Sequence, residues 1–127
     1  MTIRGFVLAI LLGAIIWALS PSVTGYAEPW DSQSPYYLLS LLMSGLVVGL
    51  VGPRRYFWLW PIGIVVGQVV AILCLSLTQP FGGVSFFFPI GLFALLLASI
   101  VSLIGSAIGA GGSFIWSRLA GFVKRGD

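Results

Sequence analysis

Four long apolar stretches, separated by short polar segments, make up most of the 127-residue chain. Each is expected to form a transmembrane α-helix, because about 20 apolar residues cross the ~30 Å hydrocarbon core of a bilayer. The predicted spans are about 4–20, 35–52, 57–77 and 85–108. Prolines and polar residues in segment 20–34 are expected to end the first helix. The pattern predicts one all-α integral membrane domain over residues 1–127.

Turn-forming residues mark the ends of the second helix. Ser34 and Pro35 predict its start, since serine can cap free N–H groups and proline fits a first helical turn. Gly52 followed by Pro53 predicts its end, with the glycine in a left-handed conformation. A link as short as Arg54–Arg55 predicts that helices two and three are antiparallel neighbours. The short third connection, residues 78–84, predicts the same for helices three and four.

The fourth apolar stretch is longer than a bilayer requires. Residues 84–117 carry no charge, and a straight helix of that length would measure about 50 Å. We expect a span to about residue 108, a bend at Gly109, Gly111 and Gly112, and an amphipathic interfacial helix over about 113–124. One side of that helix is expected to be apolar; its residues are Phe114, Ile115, Leu119, Phe122 and Val123. One long helix projecting into the cytoplasm is the alternative.

Charge is sparse and one-sided: 59% of residues are hydrophobic and only 7% are charged. All the basic residues flank the predicted spans on the same side; they are Arg4, Arg54, Arg55, Arg118, Lys124 and Arg125. The positive-inside rule then predicts cytoplasmic termini, with these side chains near lipid headgroups, and we expect a bacterial inner membrane. Nucleic-acid binding is excluded, because no soluble basic face remains to carry it. Small residues near Ala27 also fit a signal-peptide cleavage site, so removal of residues 1–27 stays open.

Small residues recur at helical spacing in three of the stretches. The pairs Gly45/Gly49 and Gly63/Gly67 are expected to face each other across the second hairpin, because glycine lets helix backbones approach closely in lipid. A longer stripe lies on the fourth helix and consists of Ala98, Ser102, Gly105, Gly109 and Gly112. This stripe is expected either to dock another subunit or to pack within the chain.

Gln68 is the only amide deep in a predicted span. In hydrocarbon it needs a hydrogen-bond partner on a neighbouring helix. We expect a backbone carbonyl or a serine hydroxyl, the candidate serines being Ser40, Ser44, Ser99 and Ser102. The alternative is a contact with a transported solute.

Reactive groups are almost absent. The chain has no histidine and one cysteine, Cys74, and its three carboxylates lie outside the apolar stretches. Proton-coupled transport normally places a carboxylate or histidine inside the membrane. Catalysis needs a base near a nucleophile, and metal or haem binding needs clustered ligands. The sequence therefore predicts no catalytic residue, cofactor or metal site.

These exclusions leave two function classes. The first is an accessory or assembly subunit that packs against other membrane proteins or a second copy, with the helix-four stripe and the C-terminal segment as contact surfaces. The second is a homo-oligomeric channel or facilitator for a neutral or weakly polar solute, lined by Gln68 and the helix-four serines.

Overall fold

The chain folds into four α-helices in a computed structural model that describes residues 3–26, 28–29, 33–78 and 88–123, with only the backbone at 88–90 and 92. The helices are α1 (Ile3–Thr24), α2 (Tyr36–Val51), α3 (Trp60–Thr78) and α4 (Phe88–Val123), and a 3-10 turn, Arg54–Tyr56, joins α2 to α3. The predicted all-α class is confirmed for the described residues. Helices α1, α3 and α4 are long and apolar enough to cross a membrane, whereas α2 is apolar but has 16 residues. Residues 79–84 of the predicted third connection, and Lys124 and Arg125, lie outside the described residues.

Helix α1 is longer than predicted: it continues past Pro21, which lies inside the helix, to Thr24. Hydroxyl groups satisfy backbone carbonyls around its last turn: Thr24 Oγ1 donates to the Ser20 carbonyl at 2.9 Å, and Ser20 Oγ to the Tyr26 carbonyl at 2.9 Å. Gly25, with φ of 78°, then ends the helix in the left-handed conformation. The expected stop at residue 20 is therefore wrong, and the glycine rather than the proline ends α1.

The boundaries of α2 and α3 confirm some signals and correct others. Ser34 Oγ accepts the Tyr36 N–H at 3.2 Å as expected, but Pro35 rather than Ser34 occupies the cap position and the helix begins at Tyr36. Gly52 is extended (φ −81°, ψ 161°) rather than left-handed, since a following proline disfavours helical backbone. A Cβ at Gly52 would lie 2.5 Å from Cζ2 of Trp60, so the glycine makes room for that indole. The 3-10 turn delays the start of α3 to Trp60.

Helix α4 runs without interruption through the glycine cluster, with 36 residues and a length of about 54 Å. The predicted break at Gly109, Gly111 and Gly112 is therefore wrong, and residues 113–123 continue the same helix. Breaking a helix in an apolar environment exposes backbone groups that cost several kcal/mol each. Three glycines lower helix propensity by only about 1 kcal/mol each, so the continuous helix is the more stable form.

The helices do not pair in chain order. Helix α1 lies chiefly against α3 and α2 chiefly against α4, while α2 and α3 contact each other less extensively than either pair. We expected α2 and α3 to be neighbours, but each makes its main contact with another helix. The expected contact between α3 and α4 is present. Around the bundle the order is α1, α3, α4, α2.

Both principal pairs are parallel. Gly63 meets Ala9 and Gly67 meets Ala14 one turn further along both helices. Likewise Gly45 packs on Ser102, and the next turn of α2 packs on the next turn of α4. Contacts that advance together along two helices require the two chains to run in the same direction.

The burial pattern is inverted relative to a water-soluble bundle. The interior combines glycines and serines with a few large side chains; those that are completely buried include Leu41, Val48, Trp60, Ile64 and Gln68. The outside carries leucine, isoleucine, valine and phenylalanine across the helices; examples are Val7, Leu11, Leu38, Met43, Ile62, Val70, Ile100 and Ile104. Water-soluble monomers rarely expose apolar patches this extensive, whereas such a surface suits the hydrocarbon of a membrane.

Candidate functional site: a buried glutamine and the arginine end of the bundle

The glycine pairs of α2 and α3 lie at close helix contacts, but not in the predicted pairing. Gly45 and Gly49 face α4, whereas Gly63 and Gly67 face α1. A Cβ at Gly45 would meet the Ser102 carbonyl, and one at Gly67 would meet the Ile10 carbonyl. Periodicity identified which residues face a helix, but it could not identify the helix that they face.

The stripe on α4 is covered within the chain. Ser102 is fully buried, and a Cβ at Gly105 or Gly109 would collide with the α2 backbone at Leu42 or Leu46. The stripe is therefore not free to dock another subunit, because α2 already occupies it. Only its last member, Gly112, is exposed, and a Cβ added there would lie 3.7 Å from the side chain of Leu50.

Three helices converge on Gln68 to form a buried group that we call the glutamine cluster: Trp17 on α1, Tyr37 on α2 and Gln68 on α3. Gln68 Oε1 accepts the Tyr37 hydroxyl at 2.7 Å and the Trp17 Nε1–H at 3.1 Å. Gln68 is fully buried, and Trp17 and Tyr37 are 4% and 7% exposed. This cluster links helices that are distant in the sequence, so it fixes their relative depth.

The predicted serine partners of Gln68 are wrong. Ser99 and Ser102 donate to carbonyls of their own helix, at Leu96 and Ser99. A serine in a helix can reach back one turn in this way, which removes its hydroxyl from the set of available partners. Sequence reasoning missed Trp17 and Tyr37, although an indole N–H and a phenol O–H are polar groups that buried aromatic side chains usually pair.

One face of α3 carries two unused hydrogen-bond donors. Among the described residues, the buried side-chain atoms without a partner are Gln68 Nε2 and Trp60 Nε1. Burying a donor without a partner costs about 1–3 kcal/mol. The two residues are about two turns apart, with the fully buried Ile64 between them on the same face.

One end of the bundle is held by Arg54. Its guanidinium donates to the Ser113 carbonyl at 2.7 Å, to Ser117 Oγ at 2.8 Å and to Ser113 Oγ at 3.1 Å. The same guanidinium lies 5.2 Å from the centre of the Phe114 ring, and that of Arg118 lies 5.1 Å from it. We call these contacts the arginine clamp. The clamp joins the 3-10 turn after α2 to α4, and it places Phe114 on the polar rather than the apolar side.

The other basic residues of this end are exposed. Arg55 donates to the hydroxyl of Tyr56 and lies 4.5 Å from its ring centre. The hydrogen bond from Arg55 lowers the pKa of Tyr56 below its ordinary value, because it stabilises the phenolate. Arg4 lies at the start of α1, and since α1 and α3 are parallel, it is at the same end of the bundle as Arg54.

A shallow apolar groove of about 260 Å³ separates α3 from α4 on the outer surface. Its walls are mostly apolar side chains, with one hydroxyl; they are Trp58, Pro61, Ile62, Val65, Val66, Leu96, Ser99, Ile100 and Leu103. Neither Gln68 nor the buried serines of α4 belong to its lining. The groove was not evident from the sequence, because it arises from the preferred pairing of α4 with α2.

Metal-binding side chains do not cluster in the part of the chain that the structure describes: no three histidines, cysteines or carboxylates lie together there. Cys74 is exposed on α3.

Comparisons with known protein families, with curated proteins and with solved structures find no match to this chain.

Proposed function

We propose that this chain is a four-span membrane protein with cytoplasmic termini that acts, without catalysis of its own, as an accessory or assembly subunit of a larger membrane complex. The bacterial inner membrane is the proposed location. The C-terminal part of α4 is proposed to lie at the cytoplasmic interface.

The packing of α2 supports the fourth span. Its 16 residues measure about 24 Å, somewhat less than the hydrocarbon core. However, α2 runs parallel to α4 and packs against it from Leu42 to Leu50. If this part of α4 crosses the membrane, α2 must cross it too. The flanking basic side chains Arg54 and Arg55 can snorkel to the interface and make up the difference.

The distribution of charge supports the orientation. Arg4, Arg54, Arg55 and Arg118, the basic residues in the described part of the chain, all lie at one end of the bundle. Positively charged residues near span ends favour the cytoplasmic side. Fusions of a reporter enzyme to residues 26 and 57 would test this, because the first should report the periplasm and the second the cytoplasm.

The groove between α3 and α4 is the observation on which the subunit proposal depends. The bundle surface is concave there, and the lining is apolar apart from Ser99. Side chains of a partner's transmembrane helix can fill such a groove and gain close packing, which drives helix association in lipid. Because the small-residue stripe of α4 is already covered, this groove replaces it as the proposed contact surface.

Filling the groove tests the proposal. Ile100 lines the groove, whereas Leu97 is equally exposed on α4 but does not line it. Ile100→Trp should abolish co-purification of a defined partner in mild detergent, and Leu97→Trp should preserve it. Equal recovery of that partner with both variants would reject the groove as the contact surface, and a lone monomer in native-membrane extracts would reject the subunit function.

A channel or facilitator is the second proposal, and the unpartnered Gln68 Nε2 is the observation in its favour. Against it, Ser102 and Ser106 are fully buried and donate to carbonyls, so they line no open path. Liposome permeability that changes with Gln68→Leu would favour the channel over the accessory subunit.

A further inference from the structure

Helix α4 extends well beyond the helix on which it packs. Its last contact with α2 is made near Leu50, which meets Gly109 and Gly112. Gly111 has nothing within 4 Å of a Cβ position, and every residue from 114 to 123 is exposed. We call residues 111–123 the α4 extension; it measures about 20 Å.

The extension has one continuous apolar face. At about 100° per residue, its large apolar side chains share one side and lie opposite Ser113 and Ser117; they are Ile115, Trp116, Leu119, Phe122 and Val123, all between 57% and 75% exposed. Ile104 and Ile108 precede them on the same side of α4 and are exposed in the bundle itself. The extension thus prolongs the apolar face that the bundle presents to its surroundings.

Positive charge at the base of the extension has no carboxylate nearby in the sequence to balance it. The guanidinium groups of Arg54 and Arg118 both lie within about 5 Å of the Phe114 ring. Between residue 32 and residue 126 the chain contains no acidic side chain, and Lys124 and Arg125 follow in the sequence. Two guanidiniums beside the same ring, in a stretch of sequence without carboxylates from 33 to 125, are suited to binding a phosphate oxyanion.

From these features we infer that the α4 extension binds the anionic phospholipid surface of the cytoplasmic leaflet. This inference rests on the orientation given under the proposed function. Because α4 is continuous with its span, the apolar side chains at the base of the extension, Ile115 and Trp116, reach the acyl boundary, and Arg118 together with Arg54 contacts lipid phosphate. The clamp sets the rotation of the extension, because Arg54 holds Ser113 and Ser117 on the side away from the apolar face.

A second copy of this chain is the less suitable occupant. Pairing two extensions in parallel would bring Arg118, Lys124 and Arg125 of each copy together without any neighbouring acidic residue before Asp127 to offset them. Anionic lipid instead neutralises these charges, each basic residue near the surface contributing about 1 kcal/mol.

The chain is convenient for a probe experiment, because Cys74 is its only cysteine. In a Cys74→Ser background, Ile115→Cys and Ser117→Cys would each receive a fluorophore on the full-length protein in lipid nanodiscs. Quenching would be compared between spin-labelled phosphatidylglycerol and spin-labelled phosphatidylcholine at equal mole fraction. The ratio of the two quenching efficiencies reports how strongly anionic lipid is enriched at the probe.

The expected result is strong quenching at position 115, weak quenching at position 117, and greater quenching by the anionic lipid. Arg118→Gln should lower the enrichment about fivefold, the equivalent of about 1 kcal/mol. Arg4→Gln is the matched control, since it removes a charge from the same end of the bundle away from α4, and it should leave the ratio unchanged.

Three results would overturn the inference. Equal quenching by both lipids would mean that the α4 extension lies at the interface but has no preference for anionic lipid. Absence of quenching at position 115 would place the extension in water, and self-quenching that requires two copies per nanodisc would identify a second copy as the occupant. The reporter fusions at residues 26 and 57 test the orientation separately, so failure of the topology can be distinguished from failure of lipid binding.

Discussion

Substituting Gly45 by alanine should separate α2 from α4. The added Cβ would lie 2.9 Å from the Ser102 carbonyl carbon and 3.0 Å from the Ser106 amide nitrogen, both backbone atoms of α4. Ordinary contacts of a Cβ begin at 3.4 Å, and a helix backbone cannot turn aside as a flexible side chain can. The two helices must therefore move apart along their shared face.

The cost can be bounded from packing. A gap of about 0.5–1 Å forfeits about a quarter to a half of each dispersion contact along the face, and overpacking a tight contact costs about 1–3 kcal/mol. Gly111→Ala is the matched control, because nothing lies within 4 Å of its Cβ position. There, alanine should stabilise the helix by about 0.5–1 kcal/mol.

Reversible unfolding in mixed micelles of a mild detergent and sodium dodecyl sulfate, followed by circular dichroism, would measure the free energy of unfolding of both variants. Gly45→Ala should be less stable than the wild type and Gly111→Ala at least as stable. If both variants shift the free energy in the same direction by the same amount, close α2–α4 packing is not what stabilises the bundle, and the parallel pairing of these helices is refuted.

Further substitutions test other contacts by the same unfolding measurement or by titration. Gln68→Leu should lose about 1–3 kcal/mol because it removes two interhelical hydrogen bonds, and stability equal to that of the wild type would show that the glutamine cluster does not hold the helices together. Gly52→Ala should also destabilise the bundle, since its Cβ would press on the Trp60 indole; an unchanged midpoint would mean that the indole can shift freely. Arg55→Gln should raise the pKa of Tyr56, because the arginine lowers it in the wild type. Titration followed by the ultraviolet absorbance of the phenolate, with Tyr56→Phe as the blank, would measure this pKa, and a fall on substitution would contradict the expectation.

Local signals in the sequence predicted much of the helical structure. The hydrogen bond of Ser34 at the start of α2 and the end of α2 before Pro53 were predicted, because capping and proline chemistry act over a few residues. The stop at the start of segment 20–34 was wrong, because hydroxyls of Ser20 and Thr24 compensate for carbonyls near the helix end. The break in α4 was also wrong, because continuous backbone hydrogen bonding outweighs the low helix propensity of glycine.

Partner identity could not be predicted in the same way. The spacing of Gly45 and Gly49 shows that they share a face, but periodicity within one helix contains no information about which other helix meets it. A short link suggested α3, whereas complementary small residues on α4 determined the pairing. For Gln68, only the structure shows that Ser99 and Ser102 bond within their own helix and are therefore not its partners. The side-chain carbonyl of Gln68 pairs with Trp17 and Tyr37 instead.

The parallel pairing of α1 with α3 and of α2 with α4 has a consequence for biogenesis. A polypeptide emerging from the ribosome delivers its helices in order, and the first two make only a modest contact with each other. The α1–α3 pair can form only when the third helix is inserted, and the α2–α4 pair only when the fourth is inserted. Until then Gly45 and Gly49 of α2 have no helix packed against them. Assembly therefore ends with the docking of α4 on α2, and a chain truncated after α3 would lack the partner of α2 and be exposed to membrane proteases.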